Sequence, residues 1–191
     1  MNFLNSALMA IAMTASVALI QPARAQESDA TEEGGSLDPT SCVSDIIEDD
    51  LRARVAADMM NDDLPGLSDA TKSEFSIATM LCGALYSLDD AQQEQYDQMS
   101  AIFTSRVWLA GDLERIGISP QLVDDTMGFG PGRANPNMMD GIPEADLKRL
   151  IEAITESGFD LSSAPQEAVR ELSYYVTFSS VYWGVVGAAA E

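Results

Sequence analysis

The chain has two cysteines, Cys42 and Cys82, and their midpoint, residue 62, falls inside a run that cannot continue a helix, Asn61–Asp69 (NDDLPGLSD). Before that run, Val43, Ile47, Leu51, Val55 and Met59 recur every four residues, with Cys42 and Ile46 beside them. That spacing predicts one amphipathic helix, opened by Asp38-Pro39 and reaching Met60. After the run, a second helix is expected over Asp69–Leu88, carrying Phe75, Ile77, Met80, Leu81, Leu85 and Leu88. Two antiparallel helices joined at that turn bring Cys42 and Cys82 level. In an oxidising compartment they form a disulfide, and without a C-x-x-C spacing the bridge reads as structural rather than redox-active.

The remaining chain continues in the helical period. A third helix is expected from Asp89 to Ile116, stopped by Gly117. Ser119-Pro120 opens a short fourth ending at Gly128; Pro143 opens a fifth running through Ser157 and closed by Gly158; Ser162, Ser163 and Pro165 open the last. No alternating strand pattern, sustained heptad or internal repeat appears. The expected fold is an all-α, single-domain bundle of five or six helices with one disulfide, spanning residues 38–190.

Two segments precede it. Residues 3–20 are apolar or small and uncharged, and Ala23-Arg24-Ala25 has the small-x-small pattern of a signal-peptidase site. Residues 1–25 are therefore expected to be a signal peptide, the alternative being an uncleaved membrane anchor. Cleavage after Ala25 would place the protein in the periplasm or outside the cell. Residues 26–37, rich in Glu, Asp, Ser and Gly, lack apolar periodicity and read as a disordered acidic linker.

Cleavage removes Arg24 and leaves 9 Lys+Arg against 31 Asp+Glu, a net charge of −22. Such a field repels nucleic-acid phosphates and anionic lipid, and favours a protein or other cationic partner, or solubility alone. There is no histidine. That excludes Ser-His-Asp and Cys-His catalysis and His-ligated zinc or haem, and two cysteines cannot make a Cys₄ site. In NDDLPGLSDATK, placing Gly66 at the sixth position of an EF-hand loop puts Pro65 and Lys72 at ligand positions, which breaks the pattern. No metal site and no cofactor is expected.

The few cations are nearly all placed three or four residues after an acid, as in Arg52, Arg54, Lys72, Arg115, Lys148, Arg149 and Arg170, where exposed helical pairs form. Arg106 and Arg133 lack such a neighbour. Arg106 falls within an apolar stripe of Tyr96, Met99, Phe103, Val107, Ala110 and Leu113, so it is the candidate for a buried cation or an anion site. Arg133 belongs to Gly128–Pro143, GFGPGRANPNMMDGIP. This is not a G-x-G-x-x-G phosphate loop, because position 133 is Arg and Pro131 removes a backbone donor. It is either a connector or an interaction loop presenting Arg133, Asn135, Asn137, Met138 and Met139.

The final helix holds an uncharged run, Leu172–Ala190, just long enough to span a membrane. Its hydroxyls and tyrosines, with no Lys or Arg after it, favour the centre of a bundle over a membrane segment. The stripe Ser180, Gly184 and Ala188 would let two such helices approach in a homo-oligomer.

One string suggests catalysis. ITESGFDLSSA (Ile154–Ala164) resembles the start of the catalytic motif of lytic transglycosylases, a Glu-Ser pair before an aromatic. The resemblance implies Glu156 as general acid on cell-wall glycan, in an apolar cleft. The family's glycine-rich and Gly-Leu-Met-Gln segments do not follow; PQEAVREL stands there instead. The leading expectation is an exported, non-catalytic binding, accessory or chaperone-like module. In its bridge and acidity it is similar to small helical periplasmic acid-stress chaperones. The alternative is a carboxylate enzyme built on Glu156.

Overall fold

The computed structural model describes residues 41–61, 63, 66–139 and 141–188. The expected signal peptide, linker and Asp38-Pro39 helix start lie outside them. The described residues form helices and no strands: α1 (Cys42–Ile46), α2 (Asp49–Met59), α3 (Asp69–Leu85), α4 (Asp90–Ile116), α5 (Pro120–Met127), α6 (Glu144–Glu156) and α7 (Gln166–Ala188).

Seven helices replace the expected five or six because the first one breaks. Ile47 (φ −88°, ψ 152°) and Glu48 (φ −70°, ψ 153°) are extended. The break keeps Ile47 buried but turns Ile46 out, 44% exposed. It also frees carbonyls at the end of α1, and Arg52 Nε donates to one of them, Ser44 O, at 2.9 Å.

Cys42 and Cys82 are bonded, with Cα atoms 6.1 Å apart. At the other end of the hairpin, Asp58 of α2 accepts from Ser68 N at 3.0 Å and Ser68 Oγ at 2.7 Å, at the start of α3. With the cysteines level at one end and Asp58 meeting Ser68 at the other, α1–α2 runs antiparallel to α3. That helix ends at Leu85 rather than Leu88. Ser87 takes the left-handed conformation (φ 55°), and Leu88 N donates to Gly83 O and Ser87 N to Ala84 O. This is a Schellman ending with serine where glycine is usual, so the residue-type signal for the stop was missing.

The 27-residue α4 is the spine. Asp89 and Gln92 form a reciprocal capping box at its start, and Gly117 (φ 96°) closes it in the left-handed conformation. It packs on α7 along one side and on α2 along another. Two apolar clusters result. One lies between α1, α2, α3 and the first half of α4, around Val43, Val55, Phe75 and Cys82. The other lies between the rest of α4 and α5–α7, around Leu109, Leu113, Phe129, Ile154 and Val176. Met59 touches both.

Candidate functional site

Arg106 is enclosed between α4, α5 and α7. Its side chain is 14% exposed and pairs through Nη2 with Asp124 Oδ2, whose side chain is 12% exposed. Nε donates to Ser179 Oγ at 2.9 Å and Nη2 to Tyr175 Oη at 3.1 Å. The guanidinium carbon lies 5.2, 5.7 and 5.8 Å from the ring centres of Tyr175, Tyr182 and Trp183. Stacked on three aromatics and hydrogen-bonded along its fork, this cation is held the way a planar guanidinium favours and a lysine could not match.

Burial holds the Asp124 carboxyl above its ordinary range, against the opposing pull of Arg106. Its second oxygen, Oδ1, has no hydrogen-bond partner among the described residues. Burial likewise pushes the Tyr175 phenol up. The helix face expected around Arg106 needs correction: Val107 is 37% exposed, while Thr104, Ser105 and Leu109 are fully enclosed. α4 buries two sides, against α2 and α7, so a single stripe cannot describe it. Asp124, Tyr175 and Ser179 were not anticipated as partners, because they lie 18 to 73 residues away in sequence.

The Gly128–Pro143 stretch is pinned rather than free. Asn135, in the left-handed conformation (φ 44°), accepts from Gly130 N at 2.8 Å and donates to Gly130 O at 3.1 Å. Arg133 pairs with Asp125 of α5 at 2.5 Å. Asn137 accepts from Met139 N at 2.9 Å. Met138 cannot be presented to a partner as expected: it is 1% exposed, packed in the main core beside Phe129. Its N–H donates to Ser180 Oγ at 2.7 Å, and Ser180 Oγ donates to Pro136 O at 2.9 Å. Of the expected presented residues, Arg133, Asn137 and Met139 reach the surface, Asn135 is half-buried and Met138 is enclosed. Ser180, buried by this strap, is spent within the chain, whereas Gly184 is exposed and the side-chain surroundings of Ala188 lie outside the description. Glu156 ends α6 on the exposed surface, without the apolar enclosure that a general acid of that kind needs.

The unexpected feature is on α3. Ile77, Met80, Leu81 and Leu85 are 58, 57, 57 and 68% exposed. They follow an i, i+3, i+4, i+8 spacing, so one helix face carries all four. Phe75, Ala78, Thr79, Cys82 and Gly83 occupy the inward face. α3 is therefore apolar on both sides, and the bundle uses one. The signal was available: at about 100° per residue, Phe75 and Ile77 point in nearly opposite directions. Once Cys82 is turned inward by its bond to Cys42, Ile77 and Met80, on roughly the opposite side of the helix, turn outward, and Leu81 and Leu85 are exposed beside them.

Among the described residues no group of three or more His, Cys, Asp or Glu could hold a metal ion, and no helix is long and apolar enough to cross a membrane. No protein-family model matches the chain, and comparison with curated proteins and with solved structures returns no match.

Proposed function

We propose that this protein is an exported, acidic interaction module of the periplasm or extracellular space, acting without catalysis as a binding, accessory or chaperone-like protein. The observation that carries the reading is the exposed α3 face, where four large apolar side chains stand more than half exposed on a helix anchored by a disulfide. Contiguous exposed apolar surface of this kind marks a place where another molecule sits. The sequence at Ala23–Ala25 and the disulfide support export.

The enclosed Arg106–Asp124 pair fits a structural role. It is stacked and hydrogen-bonded within the chain. Two measurements test the reading. Fractionation with N-terminal sequencing is expected to find Gln26 as the first residue outside the cytoplasm. A photo-crosslinking residue at Leu81 is expected to form protein adducts in intact cells, and one at Lys72, off the apolar face, is not. No adduct at Leu81 would remove the interaction reading. Release of glycan fragments that is abolished by Glu156→Gln would replace it with the enzyme.

A further inference from the structure

We infer that the α3 face receives a basic amphipathic helix of a partner protein, one with an apolar stripe at i, i+3/i+4, i+7 spacing flanked by Lys or Arg. This rests on the interaction reading above and names the partner's chemistry. The face spans Ile77 to Leu85, about 12 Å of helix, which matches two to three turns of an apposed helix. It is held outward. Cys82 is tied to Cys42, and a Cβ on Gly83 would lie 1.8 Å from Gln93 Oε1, so α3 sits directly on α4. Gln93 Nε2 also donates to Thr79 O at 3.2 Å, which fixes the first turns of α4 beside α3. The helix cannot roll to hide the stripe without breaking these contacts.

Charge selects the occupant. From Ser73 to Ser105 the chain has no Lys or Arg. The stripe itself is uncharged from Phe75 to Leu88. Glu74 lies one turn before Ile77 and is already paired with Arg54 at 2.5 Å. Beyond Leu85, across the Schellman turn, Asp89, Asp90 and Glu94 are all exposed. A helix laid along the stripe therefore meets apolar side chains along its length and unneutralised carboxylates at one end. Lys or Arg on the partner adds attraction there and speeds encounter with a chain of net charge −21.

The same charge argues against other occupants. A second copy would bring −21 against −21, and anionic lipid would be repelled. The adjoining residues 26–40 carry Glu27, Asp29, Glu32, Glu33 and Asp38, with Leu37 as their one large apolar side chain, too little to cover the stripe.

The test uses the exported chain beginning at Gln26 and three labelled peptides of about 18 residues, followed by fluorescence anisotropy. They are a Leu/Lys amphipathic helix, a Leu/Glu helix with the same stripe, and a scrambled Leu/Lys sequence. The Leu/Lys helix is expected to bind at least about tenfold more tightly than either control, and more weakly as salt rises. Leu81→Asn with Leu85→Asn, both exposed, is expected to lower its affinity at least about tenfold with an unchanged circular-dichroism melt. Asp90→Asn with Glu94→Gln is expected to weaken it and flatten the salt dependence.

Equal binding of the scrambled peptide would mean nonspecific charge attraction and overturn the proposal. So would equal binding of the Leu/Glu helix, or indifference to the leucine substitutions. A concentration-dependent dimer abolished by Leu81→Asn would assign the face to a second copy. Binding to phosphatidylcholine vesicles abolished by the same change would assign it to a membrane. Adducts at Leu81 in cells, with no binding of the Leu/Lys helix, would leave the interaction reading standing and overturn the basic-helix partner. Failure of both would remove the two together.

Discussion

In the half built from α1, α2, α3 and the first turns of α4, the core is made largely of small side chains, and Cys42–Cys82 joins its outer elements covalently. In the half built from the rest of α4 and α5–α7, larger side chains such as Phe129, Tyr175, Met127 and Phe178 fill the core, and no covalent link joins the helices. A buried ion pair stacked on aromatics lies there instead. The contrast shows two ways to position a short helix. In the first half the bridge ties α3 to α1 on its inward side, and the second apolar face of α3 stays exposed. A large core can enclose a cation where acceptors and aromatic rings surround it, as they do around Nε and Nη2 of Arg106.

The largest expected effect comes from removing the bridge. Cys42→Ala with Cys82→Ala is expected to lower stability by about 4 kcal/mol, from the entropy of the 40-residue loop the bond closes. Urea unfolding measures it, and hydrogen exchange is expected to rise in α1 and α3 before α7. Equal loss in both halves would show that they form one cooperative unit and that the division is only geometric.

Arg106→Met is expected to cost about 3 kcal/mol at neutral pH, because it strands Asp124. The sign of its pH dependence follows from burial. Asp124 is held above its ordinary range when folded, so folding takes up a proton, and its contribution grows as pH falls through the folded value and declines as pH rises. Removing Arg106 removes the opposing attraction, so the deficit of the variant is expected to shrink in acid. Urea titrations of variant and wild type at neutral and mildly acidic pH check this. A deficit independent of pH would mean that lost packing, not the stranded charge, carries the cost.

The opposite sign is expected in the other half. Burial would raise Asp58, but hydrogen bonds from Thr71 and Ser68 outweigh it and hold the carboxyl below its ordinary range. Its contribution is present above the ordinary carboxylate range and is lost as pH falls through the folded value. Asp58→Ala is expected to cost about 1 kcal/mol at neutral pH, from loss of the acceptor for the backbone N–H and hydroxyl of Ser68. That difference is expected to disappear in acid, and parallel melts of the two proteins would show it.

The smallest effect sharpens the role of the α3 face. Leu85→Gln is expected to change stability by less than about 0.5 kcal/mol, since the side chain is 68% exposed. A loss well above that, read from the urea midpoint, would show that the protein's own chain covers the face.

Much of the helical layout was legible because its signals are local. The start at Asp89, Ser119-Pro120, Gly117 and Gly128 act within one turn of the residues they cap, and the helix ends follow them. The cysteine pairing was legible from symmetry about the turn. Two boundaries were missed where the usual residue was absent: the extended pair Ile47–Glu48 contains neither glycine nor proline, and Ser87 substitutes for glycine at the end of α3.

The candidate site divides in the same way. That Arg106 lacked a local acid was visible in the sequence, since i±3 and i±4 neighbours can be counted. That Asp124, Tyr175 and Ser179 meet it required α5 and α7 to be placed. That Met138 turns inward and Ser180 ties it down depended on a strap crossing 42 residues of sequence separation.

Sequence alone determined the helical class, the hairpin register and the chain's charge, because backbone hydrogen bonding, capping and ionisation are set by near neighbours. Which side of a two-faced helix is buried was decided by the tertiary structure alone. Either apolar face of α3 could satisfy the hydrophobic effect, which has no direction. The Cys42–Cys82 bond and the close approach at Gly83 chose one and left Ile77, Met80, Leu81 and Leu85 in solvent.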